Sequence, residues 1–305
     1  MTINEDPGPF GPVDGNGTMI VVFWEYRPSN SAAYIFLALF GLATIGHAVS
    51  FLRLRAWSFT PLLLGGLCEV FGYLERSRAH TQPTVLEPWI LQNMLLLVAP
   101  PLLAATVYMS YGRITSALNR EDRSGRNARG CCARCCYSLC CTCSPTKGYV
   151  LLDVVALFTQ LVGTVLPASG TEEGRRLSKI IVLVGLFAQL LALGVFLFMC
   201  VRLHARLSRG TAPVEPGVRW KGYFVMLEVA AVMLVVRSVV RGAEYLEGAD
   251  GFVLGHEVFV YVFDAVPMLV VMVGLLWFHP LVLVRRLTRV GRKETRGFIE
   301  LSLQP

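Results

Sequence analysis

The chain has 305 residues, 54% apolar and only 16% charged, with a mean hydropathy of +0.55. A water-soluble domain carries about 25% charged residues and breaks its apolar runs before about 18 residues, so this composition excludes one. The formal net charge of +7 arises from basic residues between and after the apolar runs, which suits anionic lipid at a cytosolic surface and requires no nucleic acid.

In chain order, residues 1–30 read as a tail. Its start, MTINEDPGPFGPVDGNG, is acidic and rich in Pro and Gly, without the basic and apolar stretches of a signal peptide, so the first span is expected to direct insertion. The run from Thr18 to Tyr26 is too short to cross a bilayer and is expected at the outer surface. Seven spans follow, at 31–52, 57–76, 89–111, 149–168, 180–201, 222–246 and 257–280, and 281–305 form a second tail. The expected fold is therefore all-α, a seven-transmembrane-helix bundle occupying 31–280.

Basic residues near span ends are retained in the cytosol. Of the 28 Lys and Arg, twenty fall after spans one, three, five and seven; six fall on the opposite side, and Arg237 and Arg241 lie inside span six. The N-terminus is thus expected outside and the C-terminus in the cytosol. The sequon Asn16-Gly17-Thr18 agrees with an external tail and marks Asn16 as a glycosylation candidate.

The loop at 113–147 holds seven cysteines, Cys131, Cys132, Cys135, Cys136, Cys140, Cys141 and Cys143. The cytosol keeps thiols reduced, so a disulfide framework is not expected there. Palmitoylation beside the membrane is one reading, a thiophilic metal at Cys132-x-x-Cys135 and Cys141-x-Cys143 a second, and a loop without a dedicated role a third.

Charges at mid-bilayer cost about 2.5–3.5 kcal/mol on insertion scales, so they face one another or a hydrated cavity. In span two Glu69, Tyr73 and Arg76 stand at i, i+4 and i+7; in span six Arg237, Arg241 and Glu244 repeat that spacing; in span seven Glu257 and Asp264 are seven apart. Alternating span directions put all of them in the outer half, where they can meet. With Gln92 of span three they form the candidate site, either an ion-paired lock between helices or a hydrated cavity for a cationic headgroup or a proton. The two readings are compatible. Asp153, near the inner end of span four, is a candidate inner gate or a partner for loop arginines. Gln160 and Gln189, in the similar pentapeptides LFTQL and LFAQL, are amides of the kind that bond across helices. Pro100-Pro101, Pro167 and Pro267 free backbone carbonyls and permit kinks.

No G-x-x-x-x-G-K-[ST] run occurs, so the chain itself is not expected to hydrolyse ATP by a P-loop. A lipid-hydrolysing zinc enzyme would need converging His and carboxylate ligands; His47, His80, His204, His256 and His279 are spread over spans and loops. No enzyme activity, cofactor or metal is expected.

Several segments resemble a known family: YRPSNSAAYIFLALFGLATIGHAVSFLRLR, EVFGYLER, LQNMLLLVAPPLLAATVYMSYGRI, YVLLDVVALFTQLVG, VVRSVVRGAEYLEGADG, HEVFVYVFDAVPM and a closing FHP. In this order they are similar to the fungal RTA-type lipid-translocating exporters, seven-span membrane proteins. The Cys-dense loop and the tail depart from that pattern. The resemblance implies a fungal membrane protein, expected in the plasma membrane, whose relatives export or flip lipids or amphiphiles such as sphingoid long-chain bases. It also implies tolerance to toxic amphiphiles and, in one branch, porphyrin uptake. It maps no catalytic residue. The expected partners are membrane lipids and an amphiphilic small molecule. A seven-helix receptor or sensor that regulates lipid asymmetry without transport is the alternative.

Overall fold

The structure, a computed structural model, describes residues 10–13, 19–21, 29–81, 86–125, 145–165, 172–209, 220–247 and 256–287. Two short antiparallel strands come first, β1 (Phe10–Val13) and β2 (Met19–Val21). Six helices follow: α1 (Asn30–Leu54), α2 (Thr60–Thr81), α3 (Leu86–Gly125), α4 (Pro145–Val165), α5 (Glu172–Ser208) and α6 (Trp220–Glu247). The last, α7, starts at Glu257–Phe259, widens into a π-helical turn at Val260–Ala265 and continues through Val266–Trp277.

Five of these helices are long and apolar enough to cross a membrane. The other two are α4, whose apolar stretch Gly148–Gly163 is shorter, and α2, which carries Glu69, Glu75, Arg76 and Arg78. Both are nonetheless built into the bundle, because each helix packs on its sequence neighbours and α1 closes the ring against α7. A further contact between α3 and α6 crosses the ring. Large apolar side chains such as Leu42, Leu52, Phe158, Phe187 and Phe198 point outward, as lipid-facing positions must when lipid is the solvent. Trp57, at the α1–α2 turn, and Trp277, at the end of α7, are 76% and 83% exposed at the same end of the bundle, where indole rings suit a headgroup layer.

Several boundaries differ from the sequence expectation: the second span, expected at 57–76, is a 3-10 turn at Trp57–Phe59 and then α2 over Thr60–Thr81, and two other helices differ by more. The third helix runs on to Gly125, so the start of the loop placed at 113–147 is helical, and Ile114 and Ala117 are buried against the core. The fifth helix likewise extends beyond 180–201 at both ends. In each case polar residues ended the apolar run without ending the helix, since hydropathy marks the lipid-soluble length and backbone hydrogen bonding the helical one.

The seam between α2 and α3 depends on small residues. A Cβ on Gly65 would meet Leu103 and come within 3.1 Å of the Ala99 carbonyl; one on Gly72 would lie 2.8 Å from Leu96. Close approach of this kind is how membrane helices gain van der Waals contact. It carries Glu69, Tyr73 and Arg76 of α2 into the interior.

Candidate functional site

The stripes of α2, α6 and α7 meet inside the bundle. On α6, Arg237 sends its Nε to Asp264 Oδ1 of α7, and Arg241 donates to Asp264 Oδ2 at 2.6 Å and to Glu244 Oε2 at 3.1 Å. Arg237 also donates to the Leu96 carbonyl of α3 at 2.7 Å. That carbonyl is available for a covalent reason: Pro100, four residues on, has no N–H to bond it. One arginine therefore ties α6 to both α7 and α3.

A second group lies alongside. Arg76 of α2 pairs with Glu257 Oε1 of α7 at 3.0 Å and donates to the Tyr261 hydroxyl at 2.9 Å, its guanidinium 5.0 Å from the centre of that ring. Tyr261 donates in turn to Glu257 at 3.0 Å, which also accepts from the Ser29 backbone N–H at 2.8 Å. Aromatic rings join the two groups. Phe36 of α1 stacks on Tyr261 at 5.2 Å and on Tyr73 at 5.6 Å, and Phe40 stacks on Tyr73 at 5.4 Å. Tyr73 in turn has Glu69, Asp264 and Arg76 as electrostatic neighbours.

Glu69 stands apart from these pairs. It is 1% exposed and has Asp264, Arg237 and Arg241 as electrostatic neighbours, yet it makes no ion pair among the described residues. Its Oε1 has no hydrogen-bond partner, and neither do the Tyr73 hydroxyl, Gln92 Oε1 and Arg241 Nε. Buried polar atoms are nearly always bonded, and each orphan calls for a water, an ion, a ligand or a functional strain. Three of them, on Glu69, Tyr73 and Arg241, belong to the cluster and leave unfilled hydrogen-bonding capacity of both signs, and Gln92 lies one turn before Leu96 on α3.

The remaining expectations fall elsewhere. Gln160 donates to Gln189 at 3.0 Å, a buried amide pair joining α4 and α5. Asp153 is 1% exposed, away from the cluster and without an arginine partner among the described residues. His47 bonds the Met272 carbonyl at 2.8 Å and His279 stacks on Phe59 at 4.3 Å; no three His, Cys, Asp or Glu gather into a metal site among the described residues. Asn16 and Cys131, Cys132, Cys135, Cys136, Cys140, Cys141 and Cys143 lie outside the described residues.

Tyr261, Phe36, Phe40 and the Leu96 carbonyl are parts of the site that the charge pattern did not name. Tyr261 was findable, four residues after Glu257 on the same stripe, and Leu96 through Pro100.

Residues 62–129 and 135–286 match the family described as RTA1 like protein. The chain is 30% identical over 291 residues to Protoporphyrin uptake protein 1 of Saccharomyces cerevisiae, covering 83% of this chain and 90% of that protein. It is 27% identical over 291 residues to Probable lipid transporter atnI of Emericella nidulans, covering 88% of this chain and 71% of that one. It is also 23% identical over 279 residues to Sphingoid long-chain base transporter RSB1 of Saccharomyces cerevisiae, covering 80% and 69%. No solved structure matches the chain.

Proposed function

The chain belongs to the RTA1 like protein family, and from that premise we propose that it moves an amphiphile with a cationic headgroup, of the sphingoid long-chain-base class, across the plasma membrane. It does so as a transporter, not as an enzyme, and without an ATPase of its own. Two relatives are named as lipid transporters, one of them for sphingoid long-chain bases, which supports the lipid class.

The observation that carries the reading is the unpartnered Glu69 carboxylate beside a cluster whose three arginines are already committed to Asp264, Glu244 and Glu257. A primary ammonium brings three donors and a positive charge, which a carboxylate without a cation partner, a tyrosine hydroxyl and an amide oxygen accept. Glu69, Tyr73 and Gln92 supply those acceptors, while the hydrocarbon chain stays in lipid between the helices. The arginine pairs keep the three helices in register around this point.

The test uses purified full-length protein in lipid vesicles with a fluorescent long-chain base added to the outer leaflet. Protein is expected to accelerate its loss from that leaflet, and to do so far less for an N-acylated analogue that lacks the charge. Equal rates in protein-containing and protein-free vesicles would refute the proposal.

A further inference from the structure

Among the described residues five carboxylates are buried: Glu69, Glu75, Asp153, Glu244 and Asp264. Three have a basic partner, Glu75 on Arg78, Glu244 on Arg241, and Asp264 on Arg237 and Arg241. Glu69 belongs to the cluster above. Asp153 is the one set wholly apart from it. Neither of its oxygens has a hydrogen-bond partner.

Its neighbour is Tyr108, which belongs to an aromatic cluster. The Tyr108 hydroxyl of α3 adjoins the Asp153 carboxylate without closing a hydrogen bond of normal geometry. The Tyr108 ring packs on Tyr149 of α4 at 5.5 Å and on Phe196 of α5 at 4.7 Å. Tyr149 precedes Asp153 by one helical turn and places its hydroxyl on Met199 Sδ at 3.1 Å. Cys200 of α5 completes the titratable neighbours of Tyr108, with the Glu228–His204 pair of α6 and α5 behind it. Asp153 forms an ion pair with none of these groups.

A buried carboxylate beside a tyrosine hydroxyl, with no cation against it among the described residues, holds a proton or is very costly to bury. We propose that Asp153 is a proton-binding site in the other half of the bundle from Glu69, through which a proton gradient drives the amphiphile; this rests on the transport reading above. The Asp153 O–H bond forms with a proton from one aqueous side, which leaves the carboxyl neutral, and breaks to release that proton on the other, which restores the negative carboxylate. Tyr108 is a positioning residue, its hydroxyl set to donate to the carboxylate when the proton has left. The driving reactant is the proton itself, which agrees with the lack of a P-loop.

Infrared difference spectra of the full-length protein in lipid test the site without requiring transport. A protonated-carboxyl carbonyl band is expected in wild type, absent from Asp153→Asn and fading as pH rises. Tyr108→Phe, which keeps the ring, is expected to shift that band and to raise the pH at which it reappears, because the ionised form has lost a donor. Identical spectra for wild type and Asp153→Asn across the pH range would overturn the proposal, as would a band unmoved by Tyr108→Phe. In vesicles, the wild-type accumulation ratio at equilibrium is expected to change about tenfold per unit of pH gradient for exchange of one proton per amphiphile, and the Asp153→Asn flux to ignore the gradient. A wild-type flux indifferent to the gradient also refutes coupling. Absence of any wild-type flux would refute the proposed function while the infrared band still decides the proton site.

Discussion

At the scale of single residues the cluster separates two kinds of carboxylate. Asp264 holds two arginines, so Asp264→Asn leaves Arg237 without an ion pair inside the bundle and Arg241 with Glu244 alone. Breaking a buried pair costs about 3–5 kcal/mol, and thermal unfolding of the detergent-solubilised variant is expected to show a large fall in midpoint. Glu69 has no ion pair to lose, so Glu69→Gln is expected to cost about 1 kcal/mol or less and to unfold close to wild type. Equal destabilisation of the two variants would mean that Glu69 is also part of the lock. Pro100 offers a third residue-level test: Pro100→Ala restores an N–H for the Leu96 carbonyl, which then competes with Arg237. The variant is expected to gain helix stability locally and to lose transport, measured on the same vesicles; unchanged transport would show the Arg237–Leu96 bond to be incidental.

At the scale of elements, much of this arrangement was legible in the sequence because two periodicities coincide. Glu69, Tyr73 and Arg76, like Arg237, Arg241 and Glu244, follow the helical repeat, and bilayer burial obliges such stripes to face inward. The pairing within the cluster was not legible. Whether Arg76 would take Glu257 or Asp264 depends on the rotation of α7, and the wide turn at Val260–Ala265 sets that rotation by an insertion that hydropathy does not register. Pro267 directly follows this turn and lacks the N–H that the Phe263 carbonyl would use in a regular helix. Nor does composition reveal how far α3 continues past its apolar stretch, because its later turns are helical without being lipid-soluble. The α2–α3 seam is testable at this scale. Gly65→Leu drives a side chain into Leu103 and the Ala99 carbonyl, and overpacking of that kind costs about 1–3 kcal/mol, read as a lowered unfolding midpoint. A variant as stable as wild type would show that the helices separate easily at this point.

At the scale of the molecule, seven helices form a closed ring in which α3 also touches α6, and the charged cluster lies where α2, α3, α6 and α7 converge. By the distribution of basic residues between spans, that end is expected on the side away from the cytosol. If this orientation holds, Asn16 is glycosylated in a eukaryotic host, and Asn16→Gln raises gel mobility as peptide N-glycosidase does; an N-terminal tag accessible only after permeabilisation would reverse the orientation and, with it, the leaflet that Glu69 serves. Glu69 is the proposed acceptor of the cationic headgroup. The most direct measurement is the rate at which a fluorescent long-chain base leaves the outer leaflet of vesicles holding equal amounts of folded wild type or Glu69→Gln. Loss of one charged contact to the moving headgroup, at about 1.4 kcal/mol or more, predicts a fall of about tenfold or more in the variant; equal rates would contradict the account.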